Sequence, residues 1–128
     1  MDKAGLGKIG EEAAAGYLEK NGYRIIARNF KKEFSAVFKG EIDIIAKKDG
    51  FIIFVEVKSA KGGSSENFNF FPEDRVDWKK KKIIKMVSQA WLDQNKIPLD
   101  SLVRFDVISV FINPNTKETK ISHFENAF

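Results

Sequence analysis

The chain has 128 residues, with 22 Lys and Arg against 18 Asp and Glu, a formal net charge of +4 at pH 7. Cysteine is absent and His123 is the one histidine. This excludes disulfides, thiolate metal centres, cysteine nucleophiles and multi-histidine zinc sites within one chain, and argues against a Ser/His triad. No apolar run approaches the roughly 20 residues needed to span a bilayer, and the N-terminus lacks an apolar signal core. The expectation is a single cytoplasmic α/β domain over residues 1–128, with no membrane partner, whose chemistry rests on carboxylates and lysines. The mild basic excess suits a nucleic-acid partner without requiring one.

Residues 1–8 read as a loose N-terminus. From Gly10 to Lys20 (GEEAAAGYLEK) Ala14, Tyr17 and Leu18 recur at helical spacing, with acids in the expected first turn and a lysine in the last. Asn21-Gly22 stops this helix. Tyr23 to Asn29 reads as a short strand, and Phe30 to Lys39 as a strand or an extended loop. Gly40 to Ser59 (GEIDIIAKKDGFIIFVEVKS) is the most informative stretch. Asp49-Gly50 between two β-branched, aromatic runs predicts a tight hairpin, since both turn positions need positive φ. That turn pairs Lys48 with Phe51 and, counting outward, Ile44 with Val55, Asp43 with Glu56, Ile42 with Val57 and Glu41 with Lys58. Residues 60–74 read as a mobile polar and aromatic loop in which Phe68, Phe70 and Phe71 could stack on bases, meet a second copy or pack beneath the loop. A helix is expected from about Arg75 to Asn95, with Val76, Ile83, Ile84, Val87, Ala90 and Trp91 as its apolar stripe. Val103 to Ile112 reads as a buried strand, and Lys120 to Phe124 as an edge strand. The order α-β-β-β-α-β-β implies a mixed sheet of about five strands flanked by helices.

In the expected register Asp43 lies beside Glu56 on one face, with Lys58 on the same face and Glu41 next to it. Adjacent carboxylates repel unless a cation neutralises them, and Mg²⁺ favours one or two carboxylates with waters and phosphate oxygens. Two acids and a lysine form a phosphodiester-hydrolysis set that needs neither Cys nor His. The competing reading is a set of cross-strand ion pairs on a wet face. Ile45, Ile52 and Phe54 share that face, however, and a charge on a covered face needs a partner or a metal.

Gly40-Glu41-Ile42-Asp43 followed by Phe54-Val55-Glu56-Val57-Lys58 resembles the GEID…FVEVK pattern of the YraN-like family, small bacterial proteins grouped with the PD-(D/E)XK nuclease superfamily and similar to Holliday-junction resolvases. Further matching blocks are Gly10-Glu11 with Tyr17-Leu18, Gly22-Tyr23, Ala27-Arg28-Asn29, Val76 with Lys80, Ala90-Trp91-Leu92, Arg104-Phe105-Asp106-Val107, and His123 with Asn126-Ala127-Phe128. The resemblance implies a restriction-endonuclease-like core. It implies Asp43 and Glu56 as ligands of Mg²⁺ or Mn²⁺, Lys58 as the catalytic lysine and Glu11 as a helix-borne acid of the same site. The arginine usual in the family two residues after the lysine is Ala60 here, so a phosphate contact there is lost or supplied by Lys61. The stretch from Lys31 to Lys39 looks longer than in typical members.

Lys80 continues the apolar stripe and so points at the sheet or at a phosphate. Lys79, Lys81 and Lys82 are generic phosphate contacts. Arg28 and Asn29 would contact nucleic acid or fix a loop, Arg104 and Asp106 would pair with each other, and His123 reads as structural. The expected function is metal-dependent hydrolysis of DNA, branched or structured DNA included, with Arg28, Lys61, Lys79, Lys80 and Lys82 on the backbone and a homodimer as a natural assembly for a symmetric junction. The alternatives are a nucleic-acid-binding module that keeps the scaffold without cleaving, and a protein–protein adaptor with no affinity for DNA.

Overall fold

In the computed structural model, residues 2–62 and 77–128 are described. The expected loop aromatics Phe68, Phe70 and Phe71, and Val76 at the start of the second helix, lie outside them. Helix α1 runs Lys3–Lys20, starting seven residues before the expected Gly10. The reason is Asp2, whose carboxylate accepts from the Gly5 N–H at 2.7 Å and caps the helix. Residues 3–8 are therefore helical rather than loose. Glu11 and Glu12 sit in mid-helix, not in a first turn. Asn21 is the C-cap, as expected.

Strand β1 is Arg24–Glu33, longer than the expected 23–29 and irregular between Ile25 and Ala27. Strands β2 (Lys39–Lys48) and β3 (Phe51–Lys61) join through Asp49 (φ 51°) and Gly50 (φ 84°), the left-handed pair that the sequence demanded. Helix α2 is Trp78–Gln94, with Asp77 accepting from the Lys80 N–H at 2.8 Å. Strands β4 (Leu102–Ile112) and β5 (Thr119–Phe124) follow. The five strands lie in sequence order in one sheet. Strands β3 and β4 are parallel and joined through α2, while the other neighbours are antiparallel.

One helix covers each face, which is why β3 and β4 are apolar almost without alternation. On the α1 face lie Ala14, Leu18, Ile44, Ala46, Ile53, Val55, Ile108 and Val110. On the α2 face lie Ile42, Ile45, Phe54, Ile84, Val87, Trp91 and Val107. Full burial of side chains such as Leu18, Phe54 and Ile108 contributes about 1.5–3 kcal/mol each. Two glycines set how closely the helices approach. A Cβ on Gly10 would sit 1.7 Å from Ser59 Oγ, and one on Gly40 would sit 2.5 Å from Ile83 Cγ2. Each helix therefore presses on the same end of the sheet, where β2 and β3 carry their acids.

Candidate active site at the fork of the sheet

The β2–β3 ladder holds the expected register from Lys48↔Phe51 to Ile44↔Val55, and there it stops. The pairs Asp43–Glu56, Ile42–Val57 and Glu41–Lys58 expected from the turn are not made. Beyond Ile44 strand β2 stays with β1, pairing Ile42 with Phe30 and Glu41 with Lys31. Strand β3 stays with β4, pairing Glu56 with Val107 and Lys58 with Ser109. The two strands part at Asp43, whose Oδ2 accepts the Val57 N–H at 2.8 Å in place of a ladder bond. Alternation slips at the same point. Ile42 packs in the α2-side core and Ile44, two residues on, in the α1-side core. On the neighbouring strand Asn29 adopts a left-handed conformation (φ 53°) between the paired residues Arg28 and Phe30.

The fork gathers the charged residues into two adjoining groups. Glu11 from α1 and Glu41 and Asp43 from β2 bring carboxylate oxygens within 4.8 Å of one another. Asn29 Nδ2 donates to Glu11 Oε1 at 2.8 Å, so the left-handed twist places a donor that fixes this acid. Lys31 Nζ lies 3.7 Å from Glu41 Oε2. Glu41 thus joins the acids, not Lys58 as the extended register implied. Asp43 is 8% exposed. Burial first, then the charge of Glu56, pushes its pKa up to about 8, against the opposing Val57 hydrogen bond, and Glu11 and Glu41 add to the rise.

The second group lies towards α2. Glu56, 7% exposed, has Lys80 Nζ 3.1 Å and Lys58 Nζ 3.7 Å from its Oε1. Burial, and then contact with Lys80, lowers the Lys58 pKa. Burial also works against the charge on Lys80, but the Glu56 charge and the contact with Lys58 outweigh it and its pKa rises. Lys80 therefore carries the firm positive charge, and Lys58 gives up its proton more readily. Lys80 points inward at the sheet, one of the two directions read from its place on the stripe.

The remaining cations divide. Arg28 bonds Glu12 Oε1 at 3.0 Å and Asn29 bonds Glu11, so the two tie strand β1 to helix α1. Lys61 ends β3 exposed, and Lys79 and Lys82 are exposed on α2. A separate polar network lies on the α1 face. Fully buried Asp106 accepts from Arg104 Nε at 2.8 Å, Arg104 Nη2 at 2.9 Å and the Asn126 N–H at 3.0 Å, and bonds His123 Nε2 at 2.6 Å. The other ring nitrogen of His123 lies 3.0 Å from the Tyr17 hydroxyl. A neutral imidazole donating from Nε2 to Asp106 and accepting at Nδ1 from Tyr17 satisfies both contacts. Arg104 and Asp106 pair as their shared strand face suggests. Their link through His123 to Tyr17 spans 106 residues of sequence and had no local signal.

No helix among the described residues is long and apolar enough to cross a membrane. The sequence model of uncharacterised protein family UPF0102 matches residues 10–110. A UPF0102 protein of Alkaliphilus oremlandii is 42% identical over 96% of this chain and 97% of its own length. Relatives of the same description from Persephonella marina and Clostridium beijerinckii are 43% and 39% identical, covering 95% and 96% of this chain and 91% and 92% of theirs. With the YraN-like motifs at the fork and relatives matching nearly end to end, the chain belongs to the UPF0102 (YraN) family.

Proposed function

We propose that the protein is a metal-dependent nuclease that hydrolyses DNA phosphodiester bonds, with branched or structured DNA as its target class. The observation that carries this reading is the meeting of Glu11, Glu41 and Asp43 at the fork, beside Glu56 and Lys58. Three carboxylates so close need a cation if all are to ionise. The donors are all hard oxygens, with no thiolate or imidazole among them, which fits Mg²⁺ or Mn²⁺. Asp43 would be the central ligand, with Glu56 on the lysine side and Glu11 and Glu41 completing the acidic cluster. Such an ion supplies charge neutralisation at the phosphate and a more acidic bound water.

The chain's own residues do the rest. Asn29 holds Glu11, and the Val57 N–H holds Asp43. Lys58 Nζ, 3.7 Å from Glu56 Oε1, orients the attacking water and donates to the charge that develops on the phosphate oxygens. Lys80 Nζ, 3.1 Å from Oε1, directs the Glu56 side chain. Lys61, Lys79 and Lys82, exposed at or beside this end of the sheet, bind backbone phosphates, with Arg28 available if it exchanges Glu12 for phosphate. Two copies about a twofold axis would cut both strands of a symmetric junction.

One observation favours the second reading, a module that binds without cleaving. Lys80 Nζ lies 3.1 Å from Glu56 Oε1, so the chain itself supplies this acid with a counter-charge. Incubating purified protein with junction, flap and plasmid DNA, with and without Mn²⁺, separates the two. Cleavage that needs metal and is lost in Asp43→Asn, Glu56→Ala and Lys58→Ala supports the nuclease. Cleavage unaffected by Glu56→Ala removes the proposed site, and binding without cleavage in any metal leaves the module.

A further inference from the structure

The β1–β2 hairpin reaches past the acidic cluster as an arm. Among the described residues, six large hydrophobic side chains are exposed, and three of them, Phe34, Val37 and Phe38, lie within five residues at its tip. They are 42%, 76% and 41% exposed. The tip is an organised turn. The Phe34 and Ser35 N–H groups donate to Phe38 O at 2.8 and 3.1 Å, and Ser35 Oγ accepts from the Phe38 N–H at 3.0 Å. Behind the tip a cleft of about 490 Å³ is lined by Lys31, Lys32, Glu33, Lys39, Gly40 and Glu41. Three lysines against one glutamate leave residues 31–39 net positive.

We infer that this arm is a nucleic-acid grip, in which Lys31, Lys32 and Lys39 hold backbone phosphates and Phe34 and Phe38 stack on unpaired bases. The inference rests on the nuclease reading for its location and deepens it by naming the substrate class: DNA with exposed bases, single-stranded or at a branch point. Three features support it. The arm adjoins the acids, since Lys31 Nζ is 3.7 Å from Glu41 Oε2. From Glu41 back to Phe38 is three residues, about 10 Å of strand, so the tip stands within a few nucleotides of a phosphate at the fork. Stacking on aromatic faces beside a positive groove is how single strands are held without sequence preference. A second copy is the poorer occupant, because a twofold contact through the tips would bring the lysines of one copy towards the same lysines of the other.

The test is DNA binding by the full-length protein in EDTA, which separates binding from cleavage, using labelled single-stranded, four-way-junction and plain duplex DNA. Phe34→Ala/Phe38→Ala should lose at least about tenfold in affinity for the single strand and the junction, while duplex binding is unchanged. Lys31→Ala/Lys32→Ala/Lys39→Ala should weaken binding to all three and reduce the magnitude of the log–log salt slope by about 2 on the single strand and about 3 on the duplex. Melting curves matching the parent exclude misfolding. Unchanged single-strand affinity in the aromatic variant overturns the inference, as does an aromatic variant whose only change is a parent dimer becoming monomeric in light scattering. Parent protein that binds but never cleaves with Mn²⁺ refutes the nuclease reading and leaves the grip standing. Metal-dependent cleavage that survives in both arm variants with unaltered affinity refutes the grip alone.

Discussion

Two buried aspartates on this sheet meet opposite fates. Asp106 is completely covered and surrounded by donors: Arg104, His123 and the Asn126 N–H. Burial alone would raise its pKa, but these hydrogen bonds and the Arg104 charge outweigh it and hold the carboxyl below its ordinary value. Asp43 is nearly as buried, yet it receives one backbone donor and faces Glu56, Glu11 and Glu41. Its pKa rises to about 8. The first acid is neutralised from within and fastens the C-terminal segment to β4 and α1. The second faces other carboxylates at a partly open fork, an arrangement that the proposed cation would complete.

The sharpest way to break this contrast is to remove each acid. Asp106→Ala strands the Arg104 guanidinium and unties His123, so it should cost about 3–5 kcal/mol in urea or thermal unfolding. Asp43→Asn should do the reverse in metal-free protein at pH 8, adding about 1–2 kcal/mol by removing a repelled charge while the side-chain oxygen still accepts from Val57. Its Mn²⁺ binding should be lost. If both variants were destabilised alike, Asp43 would be a structural acid and the contrast would fail.

The same contrast predicts a pH profile. Between the unfolded value near 4 and the folded value of about 8, native Asp43 holds a proton that the unfolded chain has released. Metal-free stability should therefore fall as pH rises through that window, by at most about 1.4 kcal/mol per pH unit. Asp106 acts with the opposite sign. Its contribution is present above the unfolded value near 4 and is lost as pH falls through its depressed folded value. Chemical denaturation from pH 3 to 9 would show both limbs. Adding Mn²⁺ at pH 8 should recover the loss on the alkaline side, and Asp43→Asn should flatten that side alone. An Asp43→Asn profile parallel to the parent's would show that another group titrates.

Much of this is local enough to read in sequence. Asp49-Gly50 between alternating apolar runs fixes the turn, and the turn fixes five cross-strand pairs. The reading fails where the outer neighbours take over. Beyond Ile44 the β1 and β4 ladders hold β2 and β3 apart, and a two-strand count has no means of including the third and fourth strands. Asp43, Glu56 and Lys58 therefore meet as a fork rather than as one face of a hairpin, and Glu41 changes partners. The early start of α1 was legible in Asp2 as a capping residue, but the glycines among residues 1–8 masked it. Asn29 shows its role only through a left-handed φ and a contact with Glu11 from a distant helix, which no spacing rule carries.

The smallest expected effect decides how far the acidic group extends. Lys80 serves Glu56 as a resident cation at 3.1 Å, closer than Lys58 at 3.7 Å. If Glu56 is a ligand of the ion, binding must displace or share that ammonium, and Lys80→Met should tighten Mn²⁺ binding by up to about tenfold, near 1.4 kcal/mol. If Glu11, Glu41 and Asp43 hold the ion without Glu56, the affinity stays as it was, and Glu56 acts only on Lys58. Calorimetric Mn²⁺ titration of parent and variant at pH 8 distinguishes the two. Weaker binding in the variant would contradict both, since it would mean that Lys80 arranges the ligands instead of competing with the ion.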